Sequence, residues 1–136
     1  MLITRECDYA VRVIRALSGE ERLSVSDICE KEDITAPFAY KILKNLQKAK
    51  IVRGFRGVHG GYSMNRDTSE LTLYDVYMAV DPDMMIIDCM DPDYDCTRNH
   101  PEGGKLCQVH KELAQIQKEL WKLLQRKTLK ELFDIQ

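Results

Sequence analysis

The chain has 136 residues, of which 44% are hydrophobic and 31% are charged, and its formal net charge is −2 at pH 7. This length suits one domain with its own core, and the composition excludes the disordered and membrane-spanning classes. No apolar run approaches the ~18 residues of a spanning helix, and the N-terminus lacks the apolar core of a signal peptide. We therefore expect a cytoplasmic protein without a membrane partner, in which five cysteines indicate metal or redox chemistry more than disulfides.

The charged residues are segregated along the chain. The 35–66 stretch contains seven basic residues and no acidic one, whereas the 81–102 stretch contains seven acidic residues and one basic residue. A basic block of this kind attracts polyanions even in a mildly acidic protein. Charge alone is equally compatible with a solvated surface.

Two helices are predicted before the basic block. In the first, which Thr4 caps and Gly19 ends, apolar residues including Cys7 recur at helical spacing. The second helix is short and begins with a capping box at Ser24, and Cys29 lies on its apolar stripe. Both cysteines are therefore expected in the core and not at a reactive site.

A third helix is predicted from Thr35 to about Lys50, and a proline is tolerated in its first turn. One of its faces is apolar and the other is basic. Two short helices joined by a tight turn, the second basic on its outer face, form a helix-turn-helix. The same pattern is also typical of an ordinary amphipathic helix with solvated lysines.

The next residues predict a β-hairpin. Two strand-like segments, 51–55 and 61–65, flank the glycine-containing turn Arg56-Gly-Val-His-Gly60. A basic hairpin directly after a recognition-type helix indicates a winged helix, in which the helix enters the major groove and the wing reaches the backbone or the minor groove. The predicted DNA contacts are Pro37, Tyr40, Lys41, Lys44, Arg53, Arg56 and His59.

The C-terminal part predicts two further helices and a final turn. Thr72 opens a capping box for the first of them, and an Asp-Pro pair stops it. The second is a long helix from about Leu106 to Arg126, and Thr128 caps the final turn. Apolar residues of the long helix recur at 4-3-4-3 spacing, which favours a homodimer over a helix packed only on its own domain. This heptad seam consists of Val109, Leu113, Ile116, Leu120 and Leu123.

A cysteine-containing loop precedes the long helix. Cys89, Cys96, Cys107 and His110 follow one another at C-x6-C-x10-C-x2-H spacing, among prolines, glycines and carboxylates that favour neither helix nor strand. A loop of this length in a small domain is usually functional or disordered. The thiols indicate an iron–sulfur cluster or zinc, and a thiol redox switch is an alternative.

We expect no enzymatic activity, because no nucleophile is paired with an evident base.

Four features together are typical of one family. They are the Asp8-Tyr-Ala-Val opening, the wing from Arg56 to Tyr62, the 73–80 helix, and the three cysteines before a long helix. On these features the chain resembles the winged-helix transcription regulators that include the iron–sulfur regulators of the IscR type and the nitric-oxide sensors of the NsrR type. The resemblance covers nearly the whole chain. It implies a dimeric transcription regulator whose cluster state changes its affinity for DNA, and we expect a repressor. Because a two-fold dimer presents two recognition helices, we expect it to bind double-stranded DNA at a near-palindromic operator.

The resemblance also implies the cluster ligands. In IscR-like members three cysteines and a following histidine hold a [2Fe-2S] cluster, and these positions match Cys89, Cys96, Cys107 and His110. In NsrR-like members an aspartate of the partner subunit joins three cysteines on a [4Fe-4S] cluster, and Asp8 lies at that place. The cluster type stays open, with [2Fe-2S] favoured. A zinc site, a thiol switch and a small electron-transfer protein are the alternatives.

We therefore predict a mainly α fold with a small β-hairpin wing. A winged helix-turn-helix domain occupies residues 1–80, a sensor loop occupies 81–106, and a dimerisation helix with a C-terminal turn occupies 107–136. The predicted function is sequence-specific DNA binding by a transcription regulator whose DNA affinity is set by an iron–sulfur cluster.

Overall fold

The computed structural model describes residues 3–98 and 107–134. The helices are α1 (Arg5–Leu17), α2 (Val25–Glu32), α3 (Ala36–Lys48), α4 (Leu73–Val80), α5 (Gln108–Leu124) and α6 (Leu129–Asp134). Strands β1 (Val52–Phe55) and β2 (Gly61–Met64) form an antiparallel hairpin, and two 3₁₀ turns cover Thr68–Glu70 and Asp88–Met90. The predicted mainly α fold with a hairpin wing is confirmed. Leu106 and the 99–106 part of the predicted sensor loop lie outside the described residues.

Helix α1 lies at the centre of the core and packs against α2, α3 and α4. Its predicted apolar face is fully buried, and it includes Cys7 at 0% exposure. Burial raises the pKa of the Cys7 thiol, which disfavours the thiolate that a metal ligand requires. Cys29 is half-buried and packs against the same core. Cys7 is therefore buried as predicted, whereas Cys29 lies at the edge of the core and is only partly buried.

A charged clip fixes α1 against α2. The Nε and Nη2 atoms of Arg15 donate to the two carboxylate oxygens of Glu32 at 2.9 and 2.6 Å, and the Glu32 side chain is only 10% exposed. Hydrogen bonding to Glu32 raises the pKa of Arg15 above its usual range. Arg12 adds a bond of 3.2 Å to the carbonyl oxygen of Glu32. Bidentate pairs of this kind are directional, so the clip sets the angle between the two helices.

The helix starts were predicted correctly, but two of the predicted capping bonds are absent. Ser24 and Thr72 each form a reciprocal capping box with an aspartate three residues later. Thr4 and Thr35 occupy the N-cap positions of α1 and α3 without a side-chain capping hydrogen bond. The Thr4 hydroxyl donates instead to Sγ of Cys7 at 3.4 Å. That contact points the hydroxyl proton at the Cys7 sulfur, and the Thr4 oxygen accepts no capping hydrogen bond from the first turn of α1.

The wing is tied to the start of α2. Leu23 and Tyr62 exchange two backbone hydrogen bonds of 2.9 and 2.8 Å, so Leu23 pairs with the hairpin as an isolated β-bridge. Gly61 makes this approach possible, because a Cβ there would lie 2.5 Å from the Leu23 carbonyl oxygen and its φ is +128°. The hairpin is therefore anchored to the helix-turn-helix and does not project alone.

The C-terminal end of α5 returns to the domain body. Leu124 and Leu129 are buried in the core, and the Leu129 N–H donates to the Leu71 carbonyl oxygen at 2.8 Å. Thr128 forms a β-bridge with Thr72, and its hydroxyl caps α6 as predicted. The predicted ends of α5 differ from the observed ones by no more than two residues, which is the usual uncertainty of helix termini. The division of the chain into three segments stays a prediction.

Candidate nucleic-acid interface and cysteine loop

The polar face of α3 is exposed. The buried residues Ala39, Ile42, Leu43 and Leu46 attach the helix to the core and turn the opposite face outward. Tyr40 is 56% exposed in the first half of α3, close to the residues by which recognition helices usually meet base edges. All four contacts predicted on this helix are exposed, namely Pro37, Tyr40, Lys41 and Lys44.

Lys41 forms a salt bridge with Glu6 that the sequence did not predict. Its Nζ lies 3.5 Å from Oε1 of Glu6 on α1. The pKa of Glu6 is lowered, first by a hydrogen bond from its own backbone N–H and then by the positive charge of Lys41, so Glu6 is ionised at neutral pH. A DNA phosphate or base must therefore compete with this carboxylate for Lys41.

The wing exposes cationic and apolar groups together. Arg53, Arg56 and His59 are exposed, and Arg53 donates from Nε to Oγ of Ser63 at 3.4 Å. Val58, at the tip, is 98% exposed. Apolar side chains at such positions are used by minor-groove binders as wedges between base steps. The three wing residues predicted as DNA contacts thus lie on one accessible hairpin.

Arg22 braces the wing and was missed in the sequence. Its guanidinium carbon lies 3.7 Å from the centroid of the Phe55 ring, a cation–π distance, and its Nη1 donates to the carbonyl oxygen of His59. Arg22 lies outside the basic block, before the capping box of α2, so no local pattern relates it to the hairpin.

A cleft of about 420 Å³ joins the recognition helix to the wing. Because Tyr40 of α3 and Phe55 of β1 line the same cleft, the helix and the hairpin present one continuous surface. Apart from Lys41, no basic residue of the 35–66 stretch, all of which is described, forms a salt bridge. The other lining residues are Ser24, Val25, Ser26, Gly61 and Tyr62.

The three loop cysteines occupy different backbone environments. Cys89 lies in the 3₁₀ turn Asp88–Met90, which corrects the prediction that this loop forms no helix; a local hydrogen bond from Asp91 N–H to the Asp88 carbonyl at 3.0 Å closes the turn. Cys96 lies in irregular backbone, and Cys107 is the N-cap residue of α5. All three are half-buried, and none of the five cysteines, which all lie in the described ranges, is disulfide-bonded.

The predicted ligands are not gathered into a closed site. Within residues 3–98 and 107–134, no group of three or more His, Cys, Asp or Glu side chains is arranged to hold a metal ion. The types of donor atom nevertheless suit an iron–sulfur cluster or a zinc ion. His110 lies in the first turn of α5, and its Nδ1 is buried without a hydrogen-bond partner among the described residues. Thiols together with such an imidazole nitrogen match the donors that iron–sulfur clusters and zinc take.

Two further observations bear on the choice of ligands. Asp8, the alternative fourth ligand, is exposed and forms an i,i+4 salt bridge of 3.2 Å with Arg12. An acidic cavity of about 440 Å³ lies beside the turn that carries Cys89, and its negative charge opposes an anionic cluster and any DNA on this side. The cavity is lined by Asp83, Met85, Asp88, Asp91, Asp93 and Tyr94.

No helix in the described part of the chain has both the length and the apolar character needed to cross a bilayer.

Known proteins resemble this chain along most or all of its length. A family model named Rrf2 and described as an iron-dependent transcriptional regulator matches residues 3–135. Protein aau3 of Rhizobium meliloti is 31% identical over 71% of this chain and 64% of its own length. The regulator IscR of Photorhabdus laumondii is 27% identical over 100% of this chain and 81% of its own length. The solved structure of CymR, the global cysteine regulator of B. subtilis, covers 98% of this chain and 97% of its own with a TM-score of 0.74 at 18% identity, which shows the shared fold. The chain therefore belongs to the Rrf2 family of iron-dependent transcriptional regulators.

Proposed function

We propose that this transcriptional regulator is a homodimeric repressor whose affinity for its DNA operator is set by an iron–sulfur cluster on Cys89, Cys96, Cys107 and His110. The observation that carries the proposal is the donor set at the start of α5. Cys107 occupies the N-cap position of the helix, His110 offers a buried nitrogen without a partner among the described residues, and the other two thiols lie in the preceding segment. The similarity to IscR along the whole chain supports the same assignment.

DNA binding uses the surface formed by α3 and the wing. Tyr40 and Lys41 meet base edges in the major groove, with Pro37 at the helix start beside them. Lys44 and Arg53 meet phosphates, whereas Arg56 and His59 of the wing reach the backbone or the minor groove. The support is their common exposure on one continuous surface and the absence of salt bridges at all of these cations except Lys41 within the described residues.

Dimerisation covers the heptad seam of α5. Val109, Ile116 and Leu123 are 67%, 46% and 58% exposed, which is unusual for three aligned apolar side chains of one helix. Full burial of an exposed side chain of this kind is worth about 1.5–3 kcal/mol, and because these three are roughly half exposed, covering each would contribute about half of that. A two-fold dimer presents two recognition helices and favours a near-palindromic operator whose half-sites lie about one helical turn, or a multiple, apart.

When bound, the cluster would make the protein sensitive to iron supply and to oxidation. Cys89, Cys96, Cys107 and His110 would hold it. His110 favours a [2Fe-2S] cluster, because its Nδ1 is buried without a partner among the described residues. The [4Fe-4S] alternative uses Asp8 of the partner subunit, and that carboxylate would first have to leave Arg12. Membership of a family of transcriptional regulators argues against the alternative of a small electron-transfer protein.

Anaerobic reconstitution with iron and sulfide tests the proposal. We expect a coloured protein, with an absorption spectrum and an iron-to-sulfide count that identify the cluster, and a different operator affinity for the loaded and metal-free forms. Single alanine substitutions of Cys89, Cys96 or Cys107 should abolish the colour. The matched control is Cys29→Ala, since Cys29 packs against the core, and it should keep the colour. A colourless wild-type protein after reconstitution would refute the cluster.

A thiol switch or a zinc site at the same cysteines is the second candidate. It is favoured by the absence, among the described residues, of a group of ligands already arranged around a metal. In that case oxidation of the metal-free protein should change operator affinity and a reductant should restore it, or stoichiometric zinc should bind without colour. Operator affinity that follows cluster loading and not oxidation would exclude this candidate.

A further inference from the structure

One buried polar side chain belongs neither to the DNA face nor to the proposed ligands. Gln117, in α5, is only 3% exposed, although glutamine is mostly a surface residue. Its Oε1 accepts a hydrogen bond from the backbone N–H of Ile86 at 2.7 Å. Because a backbone N–H can only donate, this bond identifies the amide oxygen. The remaining Nε2 atom is buried and has no hydrogen-bond partner among the described residues.

The bond fixes the segment that leads to Cys89. Ile86 directly precedes Ile87, the N-cap residue of the 3₁₀ turn Asp88–Met90 that carries Cys89. Two residues before Ile86, Met84 is 3% exposed in the core. The chain is therefore held by Met84 on one side of Ile86 and follows a hydrogen-bonded turn on the other. Among these contacts, the bond to Gln117 is the one that joins the segment to α5.

The position of Gln117 along α5 suits Cys89. From Gln117 back to His110 the helix has seven residues, a rise of about 10.5 Å. From Ile86 to Cys89 there are three residues, which span at most about 10–11 Å when extended. The three-residue segment is therefore long enough for Cys89 to reach the helix turn that carries His110 while Ile86 stays bonded to Gln117.

We propose that Gln117 is the positioning residue that holds Cys89 on α5, so that Cys89, Cys107 and His110 move with one helix. The inference rests on the proposed function of these three residues as ligands. Packing alone does not account for the glutamine, since an apolar residue of similar size would fill the same space but leave the Ile86 N–H without its acceptor. Gln117 is also adjacent to Ile116 of the heptad seam, so the proposed anchor and the exposed seam lie on the same turn of α5.

Thiol reactivity in the metal-free, full-length protein tests the anchor. Gln117→Met keeps the length of the side chain but cannot accept the hydrogen bond from Ile86. We expect iodoacetamide to alkylate Cys89 about fivefold faster, equivalent to ~1 kcal/mol for one lost hydrogen bond, while Cys7 is unchanged. The control is Gln115→Met, because Gln115 is exposed and its amide pairs only with Glu119 at 3.1 Å. A folded Gln117→Met protein with an unchanged Cys89 rate would overturn the proposal.

Hydrogen exchange of the wild-type protein gives a second test that needs no variant. Ile86 lies outside every helix and strand, yet its amide should exchange far more slowly than the neighbouring loop amides. Exchange at the rate of an open loop would overturn the proposal, even if Gln117→Met fails to fold and raises the rate at Cys7 as well. Neither measurement involves a cluster. A colourless reconstituted protein would therefore refute the proposed function and leave the role of Gln117 to be decided by these two results.

Discussion

The salt bridge between Glu6 and Lys41 predicts that one substitution outside the recognition helix strengthens DNA binding. Glu6→Gln removes the carboxylate that lies 3.5 Å from Lys41 Nζ and keeps the size of the side chain. Lys41 is then released for DNA, and a negative charge leaves the surface that faces the phosphates. Both changes act in the direction of higher affinity.

The magnitude follows from the exposure of the pair. In bulk water two unit charges 3.5 Å apart attract by about 1.2 kcal/mol. Because the Lys41 and Glu6 side chains are 59% and 33% exposed, the measured range for surface pairs, about 0.2–1 kcal/mol, is the better guide. Relief of this competition corresponds to an affinity gain of about 1.4-fold to fivefold.

The pH dependence has a definite sign. The folded-state pKa of Glu6 is lowered, so its contribution to stability is present above the unfolded-state pKa and is lost as the pH falls through the folded-state value. The carboxylate is therefore ionised throughout the neutral range, and the affinity difference between Glu6→Gln and wild type should be constant there. The difference should shrink only in acid, where the wild-type carboxyl becomes protonated.

Fluorescence anisotropy titrations of an operator duplex at two salt concentrations provide the assay. Glu112→Gln is the control, since it removes the same charge from an exposed position on α5. The gain should be specific to Glu6→Gln and should diminish at higher salt. An unchanged or lower affinity of Glu6→Gln, or an equal gain in the control, would refute the competition.

Three further predictions concern the wing, the recognition helix and the dimer. Arg56→Ala should weaken binding to all sequences and flatten the log–log salt dependence by about one unit, whereas Tyr40→Ala should alter the preference among operators; titrations of several duplexes at several salt concentrations separate the two effects. Arg22→Ala should leave the fold intact but lower DNA affinity and speed amide exchange in the wing, while Arg126→Ala should change neither. Leu113→Asp places a charge in the apolar seam and should yield a monomer or an unfolded chain in sedimentation, and a monomeric wild-type protein at micromolar concentration would contradict the dimer.

The features that the sequence predicts well are those with local causes. The capping boxes at Ser24 and Thr72 depend on a partner three residues away, and the buried face of α1 depends on helical periodicity. The missing caps at Thr4 and Thr35 show the limit of this approach, because a threonine hydroxyl has several possible partners within one turn. Thr4, for example, donates to Cys7 instead.

The features that the sequence does not predict join distant segments. Arg22 bonds to His59 across 37 positions, and Gln117 bonds to Ile86 across 31 positions. Such pairs form only when helices and loops pack in three dimensions, and neither residue carries a local pattern that identifies its partner. A polar residue among the apolar positions of α5 was the available signal for Gln117. Whether the four proposed ligands converge is likewise a long-range question that cysteine spacing alone does not answer.

The burial of Leu129 beside Leu71 has a mechanical consequence for α5. Leu129, just after the C-terminal end of α5, joins that end to the body of the domain through its bond to Leu71. The proposed ligands lie at the N-terminal end of α5. Its 17 residues measure about 25 Å, so a tilt of about 10° about the fastened end moves the other end by about 4 Å. Because the pivot lies at the fastened end, the displacement is greatest at the start of α5, beside the proposed ligands, and falls towards zero where the helix joins the body of the domain.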